Sequence, residues 1–334
     1  MRYTITTDAT TAECGVEQTV LDALLRSGVW MPNSCNQGSC GTCKIRVQSG
    51  RVDHRASPLD TLPETERAAG FALACQATVL SDVVVANPAG GHRETNRLRD
   101  FSALVSAVVD VAAETRMIVL SLEEPLQFSA GQYVEIKVPG TDIRRQYSLA
   151  NPPSDTQRLE LHIRRRSGGI ASDWWAFDAV RPGQRVDITG PLGDFSFDED
   201  SAGPIVMLAG GTGLAPMKSI LCQALASDGC REIVLYHGVR SRRELYDLDF
   251  YREMEEEYSG FRFVSCVSRE AGGDRAGYVT EAFLGDIASA KNYTGYVCGS
   301  EVFVDSAVKA LKRRRISPRR LHRERFSRAA PISA

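Results

Sequence analysis

Residues 34–44 read SCNQGSCGTCK and carry Cys35, Cys40 and Cys43 in a C-x4-C-x2-C run on one short loop. No other stretch constrains the fold as tightly, because three thiols must be accommodated within a few residues. The chain has nine cysteines, an odd set. Its opening, MRYTITTDATTAECG, shows no apolar core flanked by basic residues, so we expect no signal peptide and a cytoplasmic setting in which thiols stay reduced. There a tight cysteine cluster reads as a metal site rather than a disulfide framework. Zinc favours paired C-x2-C units, and this loop has one. Gly38 and Gly41, set between the cysteines, can take the positive φ values that a loop wrapped around a metal needs.

A fourth thiol, Cys75, lies far along the chain in FALACQATV. Three ligands on one loop and one distant is the spacing of a plant-type [2Fe–2S] site. Two irons need four thiolates converging on a small volume. The loop must also turn N–H groups toward the sulfurs, since those hydrogen bonds stabilise the reduced cluster. Cys14, Cys222, Cys230 and Cys266 show no such spacing and are expected to be packing residues. Nearby, TITT and CKIRVQSG alternate like strands, and TVLDALLRSG has the spacing of a short amphipathic helix. Residues 1–90 thus resemble a plant-type ferredoxin of the β-grasp fold. NPAGGHRETNRL, residues 87–98, is polar with Pro and two Gly and reads as a linker.

At 334 residues the chain is long enough for two or three domains. Forty basic against 42 acidic residues, net charge −2, argues against a general nucleic-acid binder. No stretch approaches the ~20 apolar residues of a membrane span, so no membrane partner is expected. Residues 99–199 hold the short strands SALVSAVVDV, TRMIVLSLE, QYVEIKVP, LELHIRRR and RVDITG between Pro and Gly turns, which predicts an antiparallel Greek-key barrel. Two stretches there look chemical. One is Arg145-Gln146-Tyr147-Ser148, an R-x-Y-S pattern. The other, RRRSGGIASDW, ends a strand at Gly168 and Gly169 and offers Ser172 at a predicted helix start, where N–H groups face an anion such as a pyrophosphate.

Residues 204–330 alternate strands and helices, predicting a parallel, doubly wound sheet with ligands at the carboxyl ends of its strands. PIVMLAGGTGLAPMKSILCQAL runs from a buried strand through Gly210-Gly211-Thr212-Gly213, and Pro216 is expected to open the helix. Pro216 stands where G-x-G-x-x-G has its last Gly. Cys298-Gly299 ends a later strand; by itself Cys298 reads as a small buried residue. After EIVLYHGV comes RSRREL, whose Arg240, Arg242 and Arg243 read either as a solvated basic loop or as a site for a 2′-phosphate, where NAD-selective folds place an acid.

In this order RQYS, the Gly168-Gly169 turn, GGTGLAP, CG and the E-x-F of HRERF (322–326) resemble the ferredoxin–NADP reductase superfamily. With the ferredoxin first, the chain is similar to reductase components of bacterial aromatic-ring-hydroxylating dioxygenases. That resemblance implies FAD, with Arg145 on a flavin phosphate, Gln146 beside it, Tyr147 on the isoalloxazine and Ser148 near N5. It implies His162, Ile163 and Arg164 along the flavin, partly through backbone, and Gly168, Gly169 and Ser172 on the pyrophosphate. The nicotinamide falls to Gly210, Gly211, Thr212, Gly213, Pro216, Cys298 and Gly299. Ser300 stands where the family has Pro. Ser148, Cys298 and Glu324 form a polar catalytic set. Phe326 covers the flavin face, although eight residues follow it. The implied relay runs from NADH, with NADPH also used, through FAD and the cluster to a Rieske-type ferredoxin or terminal oxygenase. The encounter is transient, by a monomer. The same relay serves diiron monooxygenases and a deoxysugar dehydratase system. An electron carrier or redox sensor needs no nicotinamide site, so GGTGLAP and RQYS argue against one.

Overall fold

The computed structural model describes residues 1–8, 10–86 and 96–326, so most of the linker expected at 87–98 lies outside the described residues. Two compact units divide the described chain, Met1–Asp100 with Thr189–Asp194, and Phe101–Ile188 with the described residues from Phe195 to Phe326.

The first unit contains β1 (Arg2–Thr6), β2 (Thr11–Gly15), α1 (Val20–Arg26), β3 (Lys44–Ser49), β4 (Val52–Asp53), α2 (Glu64–Ala68), β5 (Phe71–Leu73), β6 (Thr78–Val79) and β7 (Val83–Ala86). Its sheet runs β2-β1-β7-β3-β5, with β1 and β7 parallel and the other pairs antiparallel. The helix α1 starts where Thr19 accepts the Asp22 N–H through its hydroxyl, and Asp22 and Arg26 complement the helix dipole. Its apolar residues Val20, Leu21, Leu24 and Leu25 are buried, as are Ile5, Ile45 and Val85 of the sheet. This is the β-grasp arrangement.

The second unit opens with a barrel of β8 (Arg99–Ala112), β9 (Thr115–Leu122), β10 (Tyr133–Lys137), β11 (Arg144–Ser148), β12 (Arg158–Arg164) and β13 (Arg185–Leu192). Its order is β11-β10-β13-β8-β9-β12, and an antiparallel bridge between Leu149 and Leu161 joins the two ends. Leu159, Leu161 and Ile163 enter the barrel core. Side chains alternate along a strand, so Glu160, His162 and Arg164 occupy the other face of β12. A π-helix follows over Ile170–Ala179, with the wide hydrogen bonds Trp174 N–H to Gly169 O and Val180 N–H to Trp175 O.

The chain continues through β14 (Ile205–Gly210), α3 (Leu214–Ser227), β15 (Ile233–Val239), α4 (Leu248–Glu257), β16 (Phe261–Val267), β17 (Arg275–Ala276), α5 (Val279–Asp286), β18 (Thr294–Ser300), α6 (Glu301–Arg313) and β19 (Leu321–Phe326). The all-parallel sheet has the order β17-β16-β15-β14-β18-β19. Met207 and Ala209 pack with Met217 and Tyr251 of α3 and α4, while Val206 and Leu208 pack with Phe283, Val304 and Leu311 of α5 and α6. Alternate residues of one strand therefore bury against helices on opposite faces, each large side chain contributing ~1.5–3 kcal/mol. After β14 the chain moves to one side through β15, then returns to β18 on the other. The gap between β14 and β18 is thus the switch point where such sheets bind ligands.

Candidate active site and cysteine loop

At that switch point the apolar β14 ends in Gly210, and a tight turn over Gly211–Gly213 leads into α3. Gly213 has an ordinary φ, yet a Cβ there would lie 2.2 Å from the Cys298 carbonyl oxygen. Only glycine lets the turn approach β18 so closely. The Phe303 ring rests on two further glycines: a Cβ would fall 2.8 Å from it at Gly210 and 2.9 Å at Gly299. The helix α3 begins at Leu214, so Pro216 is its third residue rather than its first. Its missing N–H still costs nothing, because first-turn amides have no intrahelical acceptor.

Register brings the polar set together. Cys298 of β18 lies opposite Glu324 of β19, and Ser148 ends β11. Ser148 Oγ donates to Glu324 Oε2 at 3.2 Å, and the Cys298 thiol lies 3.8 Å from the same oxygen. All three are buried. Burial pushes the Glu324 carboxyl up to about 7, against the pull of both hydrogen bonds. Burial, reinforced by Glu324, raises Cys298 well above the thiol range, so it stays a thiol and is no nucleophile. The set can hold a proton beside Ser148 near neutral pH. Phe326, two residues past Glu324, is half-buried against the core that contains Cys298.

The barrel supplies a second wall. Tyr147 lies half-buried, its ring 6.3 Å from Trp175 and tilted by 38°. Arg145 bonds only the Arg144 carbonyl, at 2.8 Å, and makes no ion pair among the described residues. Gln146 donates to Glu135 at 3.0 Å. Ile163 points into the barrel core, so only its backbone can face a ligand. Gly168 has φ +74° with open space around it, whereas a Cβ on Gly169 would lie 2.5 Å from Ser172 Oγ. Asp173 accepts the Gly168 N–H at 2.8 Å and is itself held by Arg165 at 2.6 Å. That amide is therefore engaged by a carboxylate where the sequence pattern implies a pyrophosphate. Even so, the donor set fits a flavin dinucleotide: an unpaired guanidinium at Arg145, an aromatic at Tyr147, a glycine cradle, and a buried His162 Nδ1 without a partner.

Behind His162 lies a polar network that the motifs did not reveal. His162 Nε2 is 2.9 Å from Glu160 Oε1, and Lys218 Nζ is 2.8 Å from Glu160 and 2.8 Å from Asp247. Glu160, His162 and Asp247 bring ligand-type atoms within 4.8 Å of one another, but the Lys218 ammonium supplies the cation there. Burial alone would raise Glu160; the His162 hydrogen bond and Lys218 outweigh it and hold the carboxyl down to about 2. Tyr246 stands edge-on to both His162 and His237, at 5.1 and 5.6 Å between ring centres. The period-two pattern of LELHIR offered the one sequence signal, since it puts Glu160 on the face of His162 and Arg164.

Of the three loop arginines, Arg240 is braced by Glu244 at 3.1 Å, and Glu244 also binds Arg164 at 3.1 Å. Arg242 lies across Gly272, where a Cβ would come 2.1 Å from its Cδ. Arg243 is exposed.

In the first unit the four cysteines gather as two pairs. The Cys43 and Cys75 sulfurs are 3.1 Å apart, and the Cys40 thiol is hydrogen-bonded to Cys35. Asn36, Gly38 and Gly41 take φ of 48°, 80° and 74°, which wraps the loop. The Gln37 N–H reaches Cys35 Sγ at 3.4 Å, and the Gln76 amide lies 3.8 Å from Cys75 Sγ. Among the described residues no three of these sulfurs fall within 4.8 Å of one another. A single zinc, with Zn–S of about 2.3 Å, needs all four about 3.8 Å apart. Two separated pairs instead fit a two-iron cluster, one pair per iron, with N–H donors already aimed at sulfur.

Three family models match successive stretches: 2Fe-2S iron-sulfur cluster binding domain at residues 4–80, oxidoreductase FAD-binding domain at 102–197, and oxidoreductase NAD-binding domain at 207–309. Fold, site and models define a flavin- and nicotinamide-dependent oxidoreductase with a [2Fe–2S] cluster. The chain is 52% identical over 334 residues to the aromatic O-demethylase reductase subunit of Amycolatopsis sp. (strain ATCC 39116 / 75iv2), covering 99% of this chain and 100% of that one. It is 35% identical over 341 residues to the phenol 2-monooxygenase reductase component of Pseudomonas sp. (strain CF600), covering 99% and 96%. A crystal structure described as Amycolatopsis cytochrome P450 reductase matches with TM-score 0.95 at 52% identity, over 97% of this chain and 98% of that one. The chain belongs to the family of oxygenase reductase components of the ferredoxin–NAD(P)+ reductase type, whose cofactors are FAD and a [2Fe–2S] cluster and whose reductant is NAD(P)H.

Proposed function

We propose that this chain takes a hydride from NADH at the switch point between β14 and β18 and delivers single electrons through Cys35, Cys40, Cys43 and Cys75 to a terminal oxygenase. The observation that carries the reading is the meeting of Ser148, Cys298 and Glu324, which joins the barrel's R-x-Y-S strand to the two strand ends of the nicotinamide sheet. Bound FAD supplies the exchange of a hydride's electron pair for single electrons, which the cluster passes outward one at a time. Arg145 pairs with a flavin phosphate, Gln146 and Tyr147 flank the ring, and the turn of Gly168 and Gly169 with Ser172 holds the pyrophosphate once Asp173 gives up the Gly168 N–H. His162, Ile163 and Arg164 line the flavin from β12. The turn Gly210-Gly211-Thr212-Gly213, with Pro216 in the first turn of α3, receives the nicotinamide nucleotide beside Cys298 and Gly299. Phe326 closes over this space when it is empty. Ser148 and Glu324 hold a proton at the reacting face. The work divides as residues 1–90, 99–199 and 204–330.

Arg243, exposed beside the braced Arg240, is placed to meet a 2′-phosphate, so NADPH is accepted as a second reductant. An NADH/NADPH specificity ratio above ~1000 exceeds what one unpaired phosphate contact accounts for and would refute dual use. For the acceptor, the relative at 52% identity is named for an aromatic O-demethylase, and the matching structure is described as a cytochrome P450 reductase. The second description supports a cytochrome P450-type oxygenase over the Rieske-type partner that the family resemblance implies, and the first is consistent with an oxygenase that acts on an aromatic ether. The encounter is taken to be transient and the reductase a monomer.

The test is an anaerobic visible spectrum before and after NADH, followed by mixing with a cytochrome P450 or a Rieske-type ferredoxin. Flavin and iron–sulfur absorption that both bleach, followed by haem reduction with single-electron stoichiometry, is expected. Colour that ignores both nicotinamides refutes the reductase reading. Efficient reduction of the Rieske protein alone replaces the proposed acceptor.

A further inference from the structure

His237 lies on β15, level with Ala209 of β14, and is fully buried. Its Nε2 is 3.1 Å from the carbonyl oxygen of Gly211, in the turn that leads into α3. A carbonyl only accepts, so Nε2 carries the proton and Nδ1 does not. Burial holds the imidazole down to about 4, so it is neutral in the working range. Tyr246, edge-on at 5.6 Å, and Phe263, at 6.4 Å, fix the ring from two sides.

The bonded carbonyl has consequences on the other side of its peptide. Gly211 sits in the left-handed region at φ +57°, and its oxygen also accepts the Leu214 N–H. Both acceptor positions of that oxygen are therefore engaged from within the fold. In a trans peptide the carbonyl of one residue and the N–H of the next point in opposite directions. Drawing the Gly211 carbonyl toward His237 aims the Thr212 N–H away from that ring. Leu214 N–H being already accepted by Gly211 O, the Thr212 N–H is one of the amides at this helix start left as a donor to a ligand.

We propose that His237 is a positioning residue for nicotinamide binding: by donating Nε2–H to Gly211 O it locks the Gly211–Thr212 peptide so that the Thr212 N–H is presented to the nucleotide. The role rests on the reading that NAD(P)H binds at this turn. Neither RQYS nor GGTGLAP contains this residue; it belongs to the strand beside the turn and acts through the turn's backbone.

The experiment compares the holoenzyme with His237→Leu and His237→Gln, following flavin bleaching by NADH anaerobically over a range of NADH concentrations. Glutamine places an amide N–H where Nε2 sits; leucine fills the space without a donor. The leucine variant should need about tenfold more NADH for half-maximal rate, the loss expected for one hydrogen bond that leaves a buried acceptor short. Its limiting rate should fall less, and its bleaching by dithionite and its flavin content should match wild type. The glutamine variant should return to within about twofold of wild type. Should the leucine variant fail to accumulate, His237→Asn, whose amide stops short of Gly211, replaces it with the same expectation. Wild-type NADH dependence in the leucine variant, or equal loss in both variants, overturns the positioning role alone. A wild-type protein that NADH does not bleach overturns the proposed function together with it.

Discussion

Replacing Glu324 with glutamine tests the polar contact at the centre of the site, and its magnitude follows from the burial of the carboxyl. The group shifts from 4.5 to about 7 on folding, burial being the dominant cause. At ~1.4 kcal/mol per pH unit, that difference amounts to about 3 kcal/mol. The folded state holds this proton more tightly than the unfolded state does. The stability it confers is therefore fully present below pH 4.5 and is lost as pH rises toward about 7. Glutamine keeps an oxygen to accept from Ser148 and never ionises. At pH 8 the Glu324→Gln protein should be more stable than wild type by up to about 3 kcal/mol, and near pH 5 the two should agree within about 1 kcal/mol. Urea unfolding of the holoenzyme, followed by flavin fluorescence from pH 5 to 8.5, reads the difference directly. Parallel stability curves across that range, or a variant less stable at pH 8, would refute the argument that a buried, proton-holding carboxyl sits beside Ser148.

Gly213→Ala should destabilise by several kcal/mol and abolish NADH binding, because its Cβ would lie 2.2 Å from backbone that cannot move without shifting β18. Gly168→Ala, in open space at φ +74°, should cost only about 1 kcal/mol; thermal unfolding of the two variants checks the contrast. Lys218→Met removes the cation shared by buried Glu160 and half-buried Asp247 and leaves Glu160 with Arg158 at 2.8 Å, so it should cost less than the ~3–5 kcal/mol of a wholly unpaired buried charge, with part recovered when Glu160→Gln is added. With Glu160 held down to about 2, the stability it contributes is present above pH 4.5 and lost as pH falls toward 2, which acid unfolding of wild type and Glu160→Gln would show. Cys75→Ser should remove the iron–sulfur absorption while NADH still bleaches the flavin, and reduction of the acceptor should fall at least a hundredfold, as steady-state rates would show.

The parts of this fold that were legible in the sequence are those where local pattern and tertiary role coincide. Strands β14, β15, β16 and β18 alternate with helices, and runs such as IVMLAG are apolar throughout because both faces of a central strand are covered, whereas the two-residue β17 and the edge strand β19 carry no such pattern. The helix TVLDALLRSG announces its cap, its buried stripe and its dipole charges together. Where one sequence position serves two neighbours, the pattern alone misleads. Pro216 looked like a helix opener, yet the turn Gly211–Gly213 tightens directly into helix at Leu214, so the proline falls inside the first turn. The ten-residue helix after Gly169 gave no sign of its wide π geometry, which depends on how Trp175 and Ala176 bury into the barrel.

The site divides along the same line. Cysteine spacing is informative because coordination chemistry fixes the ligand type, and the two sulfur pairs show that one loop and one distant residue suffice to converge. Glu160, Lys218, Asp247, Tyr246 and His237 left almost no trace, because each occupies a position that sequence reads as ordinary: a charged residue between leucines, a lysine in an apolar helix, a histidine in a buried strand. Their meaning lies in long-range pairings, Glu160 with Lys218 and His237 with Gly211, which no local period encodes. These residues also tie β12, which carries His162 and Arg164, to the glycine turn and α3. One shell of buried polar contacts thus fixes both walls of the site at once. A relay whose side chains transfer no groups depends on holding two bound molecules in register. The residues hardest to read from sequence are therefore those that set that register, which is why His237 and Lys218, rather than another motif glycine, are the informative places to perturb.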